Sequence, residues 1–92
     1  MKDVKQITLT AGKRTAFQMS LKRSQFLVKN MTEDSIQVAL GENKTVSVIG
    51  AGSWERVFNN VEDKTTGTAE ATNVVYVTAQ ADGMVEVASI DF

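Results

Sequence analysis

The chain has 92 residues, among them no cysteine, no histidine and no proline. Those zeros remove disulfides, thiolate or imidazole metal ligands and any His-activated nucleophile. The length suits one domain, which buries only roughly 60% of its unfolded surface. A net charge of −1 with pI ≈ 5.3 argues against an electrostatic grip on nucleic acid or an anionic membrane.

Val, Ile and Thr make up 26 of the 92 residues, and β-branched side chains favour the pleated backbone. Period-two alternation recurs along the chain without a sustained helical stripe. The expected fold is all-β: a single-domain β-sandwich over residues 1–92, jelly-roll or Ig-like, of about eight short antiparallel strands.

The first strand is expected over Val4–Thr10, with Ile7 and Leu9 on one face. Ala11-Gly12-Lys13 breaks it. Arg14–Leu21 alternates Thr15, Phe17, Met19 and Leu21 against Ala16, Gln18 and Ser20. A short connection then leads to Gln25–Asn30, and Met31-Thr32-Glu33-Asp34 turns the chain. Ser35–Leu40 presents Ile36, Val38 and Leu40 inward, and Lys44–Ile49 offers Val46 and Val48. Gly50-Ala51-Gly52-Ser53 reads as a sharp bend between strands, since it lacks the Lys-Ser/Thr ending of a phosphate cradle.

Trp54–Phe58 is a strand with Trp54, Arg56 and Phe58 on a common face. Residues 59–72 carry no core pattern, and a loop near 14 residues is expected to be mobile or functional. Asn73–Ala79 is the most apolar strand, so both its faces are expected to be covered. Asp82-Gly83 carries a hairpin signal joining it to Met84–Ile90. The phase slip at Ala88-Ser89 predicts a bulge.

No catalytic constellation emerges. Glu33-Asp34 and Glu62-Asp63 are sequence neighbours, so their carboxylates point apart in extended chain. A calcium site at Glu62 and Asp63 lacks the ligand run that six to eight oxygens demand. The expectation is therefore a non-enzyme without metal or cofactor. Lys13-Arg14 and Lys22-Arg23 near Phe17 and Phe26 could grip single-stranded nucleic acid, but Phe17 lies on the apolar phase of its strand.

Trp54 is the only tryptophan. Its large apolar area favours a place in the core, yet Trp also anchors interfaces and stacks on sugars. Arg56 on the same face is awkward for a core strand and points to a face partly open, toward another subunit. Trp54, Arg56, Phe58 and Tyr76 are the candidate interface or binding residues. A glycan site would combine Trp54, Tyr76 and the 59–72 loop.

A pattern runs through Phe26-Leu27-Val28-Lys29-Asn30-Met31-Thr32, Ser35-Ile36-Gln37-Val38-Ala39-Leu40-Gly41, Ile49-Gly50-Ala51-Gly52-Ser53-Trp54-Glu55, Val75-Tyr76-Val77-Thr78-Ala79 and Gly83-Met84-Val85-Glu86-Val87. It resembles the small β-sandwich structural proteins encoded among the head and head–tail genes of tailed bacteriophages and prophages. In those proteins a hydrophobic strand ends in Asn, and an Ala-Gly-Ser-Trp-Glu turn precedes a later strand. The likeness spans about residues 26–87 and brings no catalytic residues with it. It implies a virion component that contacts copies of itself or other virion proteins, made in a bacterial cytoplasm without a signal peptide. A carbohydrate- or receptor-binding module is the alternative.

Overall fold

Alternation of large apolar and polar side chains sets the pleat of almost every strand, because one face of each must leave water. The computed structural model describes residues 3–23, 25–40, 46–58 and 72–89, with the side chains of 46 and 58 left aside. Eight strands result: β1 (Val4–Leu9), β2 (Arg14–Arg23), β3 (Gln25–Asn30), β4 (Ile36–Leu40), β5 (Val46–Ile49), β6 (Trp54–Phe58), β7 (Thr72–Ala79) and β8 (Gly83–Ser89). They form two four-stranded sheets, ordered β1-β8-β3-β6 and β2-β7-β4-β5. All neighbouring strands are antiparallel.

This order has a simple origin. β1 pairs with β8, β2 with β7, β3 with β6 and β4 with β5. The chain is thus a long antiparallel ribbon, folded back between β4 and β5 and rolled so that β8 meets β3 and β7 meets β4. A rolled ribbon of eight strands in two sheets is the jelly-roll form of the β-sandwich.

The core lies between the sheets. Leu9, Phe26, Val28, Val57, Val85 and Val87 enter from one, with Ile7 packed against them. Phe17, Met19, Ile36, Val38, Leu40, Ile49, Val75, Val77 and Ala79 enter from the other. Burying a side chain of this size contributes about 1.5–3 kcal/mol, and in a chain without cysteine to form disulfides this cluster is the main source of stability among the described residues.

Two polar side chains are built into the frame. Asp3 is buried, and its carboxylate Oδ2 accepts hydrogen bonds from the backbone N–H groups of Ser20 (2.7 Å) and Leu21 (3.2 Å). The register of β2 against β7 shifts between Gln18 and Arg23. Asp3 therefore satisfies donors in the stretch of β2 where the ladder is interrupted.

Asn30 is 1% exposed at the end of β3. Its Nδ2 group donates to the carbonyls of Asp34 (2.8 Å), Ile49 (3.0 Å) and Gly50 (3.1 Å). Two hydrogens serve three acceptors, so one bond is shared. Oδ1 accepts from the backbone N–H of Thr32 at 2.9 Å and lies 2.7 Å from its hydroxyl. One amide thus ties the β3–β4 connection to the β5–β6 connection.

Both glycine turns beside this end need their glycines. Gly12 (φ 78°) and Gly52 (φ 69°) are third residues of turns closed by Lys13 N–H to Thr10 O and Ser53 N–H to Gly50 O. That backbone region is costly for any residue with a Cβ. Gly50–Ser53 is the bend that the glycines announce, and it carries the chain from one sheet to the other.

Four expectations are corrected. Asp82-Gly83 does not make a β7–β8 hairpin, because the two strands lie in different sheets. Asp82 Oδ1 instead accepts from the N–H of Ala11 at 2.7 Å, and a Cβ on Gly83 would sit 3.0 Å from the Thr32 backbone. The dipeptide specifies a sharp turn, while burial of Val85 and Val87 decides the sheet that β8 joins. β5 is out of phase with the reading from its valines: Ile49 is buried and Val48 is 60% exposed. No bulge occurs at Ala88-Ser89, since β8 keeps one register with β1 and β3 through these residues. The outer face of β7 is only partly buried at Val74, Tyr76 and Thr78, because among the described residues no third layer covers it. The 59–72 loop, apart from Thr72 in β7, and the Glu62-Asp63 pair lie outside the described residues.

Replacing Asn30 with Ala should strand the Thr32 N–H and the carbonyls of Ile49 and Gly50. We expect a loss of about 3 kcal/mol in urea unfolding, given roughly 1–3 kcal/mol per buried group left unpaired. A loss below about 1 kcal/mol would show that the network does not hold the frame.

Candidate interaction surface

β6 is an edge strand paired to β3, with Trp54 opposite Lys29, Arg56 opposite Leu27 and Phe58 opposite Gln25. Directly opposed residues share a face, so Trp54 and Arg56 stand on the outer surface of the β1-β8-β3-β6 sheet. The side chain of Phe58 lies outside the described residues. Trp54 is 64% exposed, which overturns a place for it in the core. Val57, one residue out of phase, fills that role.

Registers across the sheet arrange the outer face in rows. One row runs Gln6, Glu86, Lys29, Trp54; the next runs Val4, Ala88, Leu27, Arg56. On the other side of the first row, Thr8 stands opposite Met84, and the N–H of Met31 reaches Met84 O at 3.1 Å. Val4, Met31, Trp54 and Met84 are exposed large hydrophobic residues. Largely apolar rows, with Arg56 at one edge and Thr8 at the other, therefore flank the row of Gln6, Glu86 and Lys29.

That row is internally paired. Gln6 Nε2 donates to Glu86 Oε1 at 2.8 Å, and Lys29 Nζ lies 3.4 Å from Glu86 Oε2. The Gln6 hydrogen bond, followed by the Lys29 hydrogen bond and charge, holds the Glu86 carboxyl below the usual glutamate value, against an opposing effect of partial burial. Sequence reasoning missed this row because its members are far apart in the chain. The available signal is that Leu27 and Met84 alternate with the buried Phe26, Val28 and Val85, which puts apolar groups on the outer face.

Tyr76 does not join this surface. It lies on the outer face of the other sheet, opposite Ala16 and Ala39, with the Arg14 guanidinium 4.1 Å from its ring centroid. The structure thus separates Tyr76 from Trp54, and a glycan site combining the two does not form. Phe17 and Phe26 are fully buried, out of reach of any stacking base. Among the described residues no three acidic side chains cluster to hold a metal ion, and no helix is long and apolar enough to cross a membrane.

The face presents an exposed indole, two thioethers and aliphatic groups around a neutralised ion pair. Such residues are enriched where proteins bind proteins. Comparison with protein-family models, with curated proteins and with solved structures found no match to the chain.

The lowered Glu86 value fixes the sign of a pH effect. Its folded-state value is below the unfolded one, so its contribution is complete above the unfolded value and is lost as pH falls through the folded value. Glu86→Gln should therefore lower stability at pH 7, with the difference from the wild type narrowing toward about pH 3. Urea midpoints at the two pH values measure this; a constant difference would contradict the assignment.

Proposed function

We propose that this chain is a non-enzymatic structural protein of a tailed bacteriophage or prophage virion, acting through self-association or by binding a capsid or head–tail surface. The observation that carries the contact role is the outer face of the β1-β8-β3-β6 sheet, where Trp54, Met31, Met84 and Val4 gather around one compensated ion pair. The phage class rests on the sequence resemblance across about residues 26–87, and a jelly roll is a fold that capsid proteins use. Lectin domains use it as well, so the fold alone does not choose between them.

One observation supports a second reading as a carbohydrate- or receptor-binding module. The Trp54 ring is open to solvent beside the hydrogen-bonding Lys29 and Glu86 groups, the combination a sugar ring requires. Because Trp54 is the only tryptophan, its fluorescence reports that site directly. On the structural reading, titration with monosaccharides and short glycans leaves the emission unchanged. A saturable shift would favour the second reading.

Sedimentation equilibrium of the whole chain from about 1 μM to about 1 mM covers the affinities expected of weak protein contacts. We expect concentration-dependent association. Trp54→Ala should weaken it about tenfold or more, while changing stability by no more than about 0.5 kcal/mol, since the side chain leaves the core untouched. A chain that stays monomeric and binds no virion surface would overturn the reading.

A further inference from the structure

We infer that the outer face of the β1-β8-β3-β6 sheet takes a second copy of this chain, packed sheet on sheet about a two-fold axis parallel to the strands and midway between β8 and β3. The inference rests on the self-association reading and names its surface and geometry.

The charge pattern selects this arrangement. Rotation about such an axis keeps each row at its own height and exchanges β8 with β3 and β1 with β6. Glu86 of one copy then lies over Lys29 of the other, and Lys29 over Glu86, so the two ion pairs close into a ring of four alternating charges. The other two-fold axis in the plane of the face, perpendicular to the strands through this row, sets Glu86 over Glu86 and Lys29 over Lys29. Like charges brought face to face disfavour it.

The flanking rows agree. About the strand-parallel axis Leu27 meets Ala88 of the second copy, a large group against a small one, Met31 meets Met84, and at the edges Arg56 lies over Val4. Flexible thioethers fill irregular gaps well. Trp54 of each copy covers Gln6 of the other. Four strands at ~4.8 Å spacing and three rows ~6.8 Å apart give a face of roughly 19 by 20 Å. That is below the footprint of a standard interface, so the dimer is weak and reversible.

The test is a charge swap on the full chain. Glu86→Lys leaves two cations in the row and Lys29→Glu leaves two anions. Each variant alone should lose dimerisation by about tenfold or more in sedimentation, because both cross-copy pairs become repulsive. An equimolar mixture should associate at least as well as the wild type, since every cross-copy pair is then opposite in charge. Thermal unfolding of each variant checks that it folds. Should either fail to fold, Met84→Lys at its exposed position gives the same reading, expected as weakened dimerisation. A wild-type dimer indifferent to Met84→Lys and to both swaps would overturn this face while sparing self-association. Loss in the single variants without recovery in the mixture would overturn the two-fold geometry. A wild type that is monomeric throughout would remove the self-association reading itself.

Discussion

The buried amide of Asn30 is the interaction on which the rest of the molecule depends. Burying such a group unpaired is costly, so the end of β3 is stable only where five partners converge: the carbonyls of Asp34, Ile49 and Gly50 and the N–H and hydroxyl of Thr32. That convergence fixes where β3 stops and how the two connections approach each other. It also fixes the phase of β3. With Asn30 locked inward, Phe26 and Val28 point to the core and Leu27, Lys29 and Met31 point out. A slip by one residue would invert the strand, drive Lys29 between the sheets and dissolve the outer rows.

The outer face owes its character to the same alternation. On a sandwich sheet whose outer side meets only water, that side is usually polar. Here the central strands carry Leu27, Met31, Met84 and Ala88 on it. In the middle row the charges are satisfied internally, by Gln6 and Lys29 around Glu86. Surface pairs of this kind contribute little to stability in water. Their effect is on solvation: a compensated pair loses less hydration when covered than two lone charges would. That row can be taken out of water without stranding an ion.

Much of the frame is legible in the residues. Phe17 with Met19, Phe26 with Val28 and Ile36 with Val38 alternate strongly enough to set both strand and phase, and all six are buried. The double glycine before Trp54 marks a true bend. What the chain does not announce is pairing. Asp82-Gly83 looks like a hairpin because its local conformation suits one, but the neighbours of β8 are decided by which slot its valines fill. The phase of β5 is not written in its residues, because Val46, Val48 and Ile49 are equally apolar and four residues hold no internal vote. Trp54 was ambiguous for a similar reason: its area favours burial, and only Arg56 on the same phase argued otherwise. The Gln6–Glu86 contact spans 80 residues, beyond any local pattern.

The rolled ribbon dictates an order of assembly. β4 and β5 are close in sequence and pair at little entropic expense, whereas β1 must find β8 across nearly the whole chain. Contacts of such long separation make folding slow. A ribbon that zips outward from its fold would bring its two ends together last. During synthesis, β1 waits without its ladder partner among the described strands until β8 has left the ribosome, and β3 stays open on the side that β8 later takes. The domain therefore closes only after β8 has emerged, and the outer face, which needs β8 at its centre, exists only once that closure is complete.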